Sequence, residues 1–123
     1  MTPAYHHLQL VVLNKHQRDF QQGDVVAFWC EGLSSVLVKR IAAIPEDRVV
    51  IREGTLYVND RISGVYPEPD RFDYAGLLES EIVLGPGEYL LLGDNTEASK
   101  DSRYPEVGTV VQADIYGRVC KSR

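Results

Sequence analysis

Several features that would assign a chain to a large class are scarce in this one. No stretch approaches the roughly 18 consecutive apolar residues of a membrane-crossing helix, and no long run repeats its apolar residues at helical spacing. These 123 residues therefore do not read as a helical bundle or a membrane-spanning helix. Positive charge is also in deficit, with 13 lysines and arginines against 18 acidic residues and a net charge of −5. That balance speaks against nucleic acid as a partner. Cysteine is limited to Cys30 and Cys120, too few for a disulfide framework. Free thiols are the expectation, with one disulfide between them left open. His6, His7 and His16 do not make a metal site, because adjacent strand histidines face opposite ways and neither cysteine has zinc-ligand spacing. Gly85-Pro86-Gly87-Glu88 is not followed by Gly-Lys-Ser/Thr and so is a turn, not a phosphate loop. No charged, apolar and small-residue leader opens the chain, and repeats, linkers and low-complexity tracts are missing. One domain over 1–123 is expected, needing no cofactor and no metal.

What the sequence does contain is short apolar runs punctuated by Gly, Pro, Asn and Asp, which predicts a mainly β domain with antiparallel sheets. Strands are expected at Leu8 to Leu13, Val25 to Trp29, Val36 to Ile44, Val49 to Arg52, Thr55 to Val58, Tyr89 to Leu92, Thr109 to Val111 and Ile115 to Val119. Val25 to Trp29 is apolar on both faces and should be buried. Glu53-Gly54 should turn a hairpin, and Asn59-Asp60 should end its second arm. The prolines of Tyr66-Pro67-Glu68-Pro69-Asp70 lack backbone donors. That stretch, with residues 71–81 after it, is read as a surface excursion.

Two stretches carry chemistry. In Leu37-Val38-Lys39-Arg40-Ile41, alternation puts Leu37, Lys39 and Ile41 on one face and Val38, Arg40 and Ala42 on the other. An amine flanked by hydrocarbon loses hydration, its ammonium form is disfavoured, and it can serve as a general base. The alternative is a lysine whose stem crosses apolar neighbours and whose head stays in water. The second stretch is Gly93-Asp94-Asn95-Thr96-Glu97-Ala98-Ser99-Lys100-Asp101-Ser102-Arg103-Tyr104. If extended, it would present Ser99, Asp101 and Arg103 together, a set able to orient an amine through charge-assisted hydrogen bonds. Its alternative is a solvated loop with an incidental surface ion pair, worth ~0–1 kcal/mol.

Taken together, Gly23-Asp24-Val25-Val26-Ala27-Phe28, Val38-Lys39-Arg40-Ile41 with Pro45-Glu46-Asp47, Gly54-Thr55-Leu56-Tyr57-Val58-Asn59, and Gly93-Asp94-Asn95 with Ser99-Lys100-Asp101-Ser102-Arg103-Tyr104 resemble the ordered motifs of type I signal peptidases. The resemblance spans nearly the whole chain, to Ile115-Tyr116-Gly117-Arg118, and Ser-x-Asp-Ser-Arg is its most specific part. It implies antiparallel β-sheets of the signal-peptidase and repressor-peptidase type. It implies a serine endopeptidase with a Ser/Lys dyad, removing signal peptides from exported preproteins after small residues at the outer face of the cytoplasmic membrane. Lys39 would be the general base and Ser99 would orient it, while Asp101 and Arg103 would form the supporting ion pair. Leu37 and Val38 would pair the substrate backbone and line its small pockets. Met1 would align directly after the nucleophilic serine, and Tyr5 at a pocket position often filled by an aliphatic residue. The serine and the membrane anchor would then lie upstream of Met1, by truncation or by loss of catalysis. Ala4, Ala43, Glu46 and Thr96-Glu97-Ala98 depart from the family pattern, and Glu46 would be strained if left-handed. A Ser/Lys peptidase with another substrate, such as a pilus-maturation or self-cleaving repressor-type enzyme, and an inactive peptide-binding relative are the alternatives.

Overall fold

The computed structural model describes residues 9–13, 19–94 and 100–122, with backbone alone for 9–13 and 120–122. Among these residues there are ten strands: β1 (Gln9–Leu13), β2 (Val25–Cys30), β3 (Ser35–Ala43), β4 (Arg48–Arg52), β5 (Thr55–Val58), β6 (Arg61–Ile62), β7 (Ile82–Val83), β8 (Glu88–Leu92), β9 (Val110–Val111) and β10 (Ile115–Ser122). Every strand pair is antiparallel. Helical structure among the described residues is confined to short 3-10 turns at Glu31–Leu33, Gly76–Glu79 and Gln112–Asp114. The expected mainly β fold is what forms, as two sheets. One has six strands in the order β1-β10-β2-β3-β8-β9, and the other has four in the order β6-β5-β4-β7.

The six-stranded sheet cannot be flat. Its outermost strand β9 passes to β10 through the three-residue turn Gln112–Asp114, although β10 stands four places away in the sheet. Four strand spacings are about 19 Å, whereas three 3-10 residues advance only about 6 Å. The sheet therefore curls, and its concave face encloses a core of Phe20, Val26, Phe28, Cys30, Ile41, Tyr89, Leu91, Val110 and Ile115. Cys30 is a free thiol buried in this core, and its Sγ donates to the Glu106 carbonyl at 3.6 Å. The Cys120 side chain lies outside the described residues. A second core fills the space between the two sheets. It joins Ala42, Ala43, Leu90 and Leu92 of the large sheet to Val49, Ile51, Leu56 and Val58 of the small one. Strict alternation along β8 divides the two cores, with Tyr89 and Leu91 on one side and Leu90 and Leu92 on the other.

Both expected turns form. Glu53 (φ 50°) and Gly54 (φ 78°) turn β4 into β5, and Asn59 (φ 54°) and Asp60 (φ 67°) turn β5 into β6. Paired positive φ values are what two-residue hairpins of right-twisted strands require. At the end of β3, Ile44-Pro45-Glu46-Asp47 makes a further turn, closed by the Asp47 N–H on the Ile44 carbonyl at 3.1 Å. Its third residue, Glu46, has φ 74°, so a side chain occupies a left-handed position that glycine fills at least cost.

One expectation is corrected. The stretch from Tyr66 onward is not simply a surface excursion, because Tyr66, Phe72 and Leu78 are 3%, 4% and 0% exposed and belong to the inter-sheet core. The prolines keep it out of the ladder as anticipated, but Tyr66, Phe72 and Leu78 turn inward while Tyr74 and Leu77 stay exposed. Its backbone is docked as well, with the Phe72 N–H on the Gly54 carbonyl at 3.0 Å.

Candidate active site

Lys39 lies on β3, directly opposite Val26 of β2. Its face neighbours Leu37 and Ile41 pack into the concave core, as the alternation predicts. Strand β3 pairs with β2 from Ser35 to Arg40, whereas β8 pairs with β3 only from Arg40 to Ala43. Lys39 thus stands where β3 loses its second neighbour. Among the described strands, residues 35–39 keep one open hydrogen-bonding edge, and Leu37 and Val38 lie on it.

The amine is half-buried, and its environment acts on it in a readable way. Burial is the largest influence and lowers its pKa from the ordinary 10.5. Asp101 opposes that shift, Arg103 reinforces it, and Asp94 opposes it. A desolvated amine with partly cancelling charges around it is biased towards the neutral base.

Asp101 and Arg103 are 0% and 1% exposed, so this is not an incidental surface ion pair. Arg103 Nε and Nη2 reach Asp101 Oδ1 and Oδ2 at 2.9 and 3.1 Å. The same carboxylate also accepts the Arg103 N–H at 3.0 Å and the Gly93 N–H at 3.2 Å. The two side chains meet through a turn, not the extended segment considered from the sequence. The Tyr104 N–H closes that turn on the Asp101 carbonyl at 2.9 Å, which brings residues two apart onto the same side. Ser102 ties the turn to β8, its hydroxyl accepting the Leu91 N–H at 2.9 Å and its own N–H donating to the Leu91 carbonyl at 2.9 Å. Arg103 completes the clamp through Nη1 on the Tyr74 carbonyl at 3.0 Å, and its guanidinium lies over the Phe72 and Tyr104 rings.

On the opposite face of β3, Arg40 holds Asp94 with Nε on Oδ1 at 2.9 Å and Nη2 on Oδ2 at 3.0 Å. That pairing is the largest cause holding the Asp94 carboxyl below its usual range. Residues 94 and 100 thus flank the segment carrying Ser99, with an arginine–carboxylate pair close to each end.

A family model described as signal peptidase, peptidase S26, matches residues 1–121. The chain belongs to the signal peptidase family. Signal peptidase IB of Staphylococcus aureus is 32% identical over 117 residues, covering 80% of this chain and 58% of that protein. A probable signal peptidase I-2 of Synechocystis is 28% identical over 109 residues, covering 82% of this chain and 47% of that protein. The chain therefore spans only about half the length of these curated relatives. A crystal structure of a signal peptidase I from Enterococcus faecalis superposes with a TM-score of 0.66 at 26% identity, over 83% of this chain and 97% of that one. Fold and family thus agree with the resemblance read from the motifs.

Of the signal peptidase residues singled out from sequence, Lys39, Leu37, Val38, Asp101 and Arg103 lie within the described residues. The charges of Asp101 and Arg103 reach the Lys39 amine, and Leu37 and Val38 lie on the open edge of β3. Ser99, Met1 and Tyr5, like His6, His7 and His16, lie outside the described residues. Sequence reasoning passed over Arg40 and Asp94 as a pair, Ser102 as a tether, and two further partners of Asp94: Tyr66, whose hydroxyl lies 3.3 Å from its Oδ1, and Arg71, whose Nη2 donates to its carbonyl. For Tyr66 a signal existed, since aromatic Tyr66 and Phe72 inside a polar, proline-bearing stretch mark an anchored segment. A cavity of about 410 Å³ lined by Gln22, Val58, Asn59, Arg61, Ile62, Ser63 and Gly64 includes none of the residues around Lys39.

Proposed function

We propose that this chain carries the lysine half of a Ser/Lys endopeptidase that removes signal peptides from exported preproteins. The observation that carries this reading is Lys39, a half-buried amine biased towards its neutral form at the start of an open strand edge and beside the buried Asp101–Arg103 pair. Neutral Lys39 takes the proton of a serine hydroxyl as the oxygen attacks the scissile carbonyl carbon. The resulting ammonium returns that proton to the leaving amine as the peptide bond breaks. In the second half, Lys39 takes a proton from water as its oxygen attacks the acyl carbon, and the ammonium returns that proton to the departing serine oxygen as the acid is released. On this reading the serine stands immediately before Met1. Ser99 orients the amine, and Asp101 with Arg103 supports the turn that follows. The substrate backbone adds to the open edge of β3 beside Leu37 and Val38, and Met1 and Tyr5 border the pocket for the small residue before the cut. An anchor upstream of Met1 would hold the protein at the outer face of the cytoplasmic membrane.

The test is cleavage of a peptide with an Ala-x-Ala site by the protein extended upstream through its Ser-Met, assayed in detergent beside Lys39→Ala. Cleavage is expected, with a loss of about 100-fold or more in the variant. The rate should rise with pH through a limb lying below the ordinary lysine value of 10.5. A folded extended protein that binds the peptide on the β3 edge and never cuts it would replace this reading with that of a peptide-binding relative.

A further inference from the structure

An extended segment added to the open edge of β3 sends alternate side chains to the two faces of the sheet. Lys39 belongs to the concave face, and the convex face has its own lining. Val26, Phe28 and Cys30 point into the concave core, so Val25, Ala27 and Trp29 of β2 point the other way. Directly paired residues share a face. Ala27 stands between Val38 of β3 and Gly117 of β10, and Trp29 stands opposite Val36. The convex face thus carries a row of short side chains, Val38-Ala27-Gly117, and beside it a row that ends in an indole. Val36 is 49% exposed and Trp29 is half-buried.

The indole is held in place. Its Nε1–H donates to Glu31 Oε1 at 2.9 Å, and Glu31 opens the 3-10 turn Glu31–Leu33. That turn is seated tightly, since a Cβ at Gly32 would lie 1.9 Å from the Glu106 carbonyl oxygen. With its one donor satisfied, Trp29 offers a neighbour apolar ring surface. The position of that surface along the edge is set by strand pairing. β8 takes over the edge of β3 from Arg40 onward, so a segment paired with residues 35–39 runs from Lys39 only towards Ser35. Val36 lies three residues from Lys39, about 10 Å along extended chain.

We propose that Trp29 and Val36 form an apolar shelf selecting signal peptides that carry a large apolar side chain about three residues before the cut. The proposal deepens the peptidase reading and rests on it for the nature of the peptide and the place of the cut. Leucine or phenylalanine at that position buries its surface against Val36 and the indole, whereas alanine leaves both exposed. An acidic side chain there would lose water beside the Glu31 carboxylate and is disfavoured.

The test uses the chain itself and requires no serine. Trp29 is the only tryptophan, so its fluorescence reports contact directly. A peptide with p-bromophenylalanine, a contact quencher, three residues before the cut should quench it, and the same residue two before the cut should quench it much less. By anisotropy of fluorescein-labelled peptides, a Leu-x-Ala site should bind about tenfold more tightly than Ala-x-Ala. Trp29→Ala should bring the two within about twofold, and so should Val36→Asp, a change at an exposed position that spares the core. In the serine-bearing protein the same ratio should appear in kcat/KM. Equal affinities in the wild type, binding of neither peptide, equal quenching from both positions, or a leucine preference that survives in a folded Trp29→Ala or Val36→Asp each overturn the proposal. A serine-bearing wild type that cleaves neither peptide, while the Trp29-dependent preference in binding persists, counts against the peptidase reading alone.

Discussion

The two arginine–carboxylate pairs flanking residues 95–99 use the same chemistry in different surroundings. Arg103 and Asp101 are 1% and 0% exposed, and each carboxylate oxygen accepts two hydrogen bonds. Arg40 and Asp94 are equally well aligned, yet their side chains are 33% and 63% exposed. Water screens the second pair and has been excluded from the first. Losing a partner is therefore costly at one end and cheap at the other. The buried pair is part of the interior, whereas the exposed pair can be changed without endangering the fold.

The strongest way to test that contrast is to remove one buried guanidinium. Arg103→Met leaves Asp101 buried and uncompensated and opens the Tyr74 carbonyl, so a loss of about 3–5 kcal/mol is expected by denaturant unfolding. The same end can be broken from outside. Gly76 has φ 56°, and a Cβ there would lie 2.2 Å from the Arg103 carbonyl oxygen and 2.8 Å from Tyr74. Gly76→Ala should cost about 2–3 kcal/mol, combining left-handed strain with overpacking. At the exposed end, Arg40→Met should cost about 1 kcal/mol or less. A loss there matching that of Arg103→Met would collapse the comparison.

The smallest effect belongs to Lys39 and has a definite sign. Its pKa is lowered in the folded state, so between that value and 10.5 the unfolded chain binds more protons than the folded one. Stability contributed by this group accordingly rises with pH through that window and is poorest below it. Lys39→Met should unfold at slightly higher denaturant than wild type at neutral pH, with the difference fading as pH approaches 10.5. An advantage that persists at high pH would mean that packing, not charge, separates the two.

Much of this architecture was legible because short-range physics wrote it. Val25 to Trp29 announced a buried strand through apolar residues on both faces, Tyr89 to Leu92 announced a strand through its apolar run, and Glu53-Gly54 and Asn59-Asp60 announced turns through residues tolerant of positive φ. The two-residue strands β6 and β7 were missed because they are too short to show a period. Tyr66, Phe72 and Leu78 were misread because burial of isolated apolar residues in a polar stretch depends on what packs over them.

The sequence by itself determined the family, the antiparallel β character, the alternation that puts Lys39 among Leu37 and Ile41, and the residues able to support it. These follow from the order of motifs and from backbone periodicity, which are local. Only the tertiary structure decided that β8 stops pairing one residue short of Lys39, that Asp101 and Arg103 are sealed from water, and that Tyr66 and Arg71 reach Asp94 across the sheets. Strand register and solvent exclusion belong to segments distant in the chain. Those same long-range contacts set whether a charge is screened, whether an edge is open and whether an amine is poised to act.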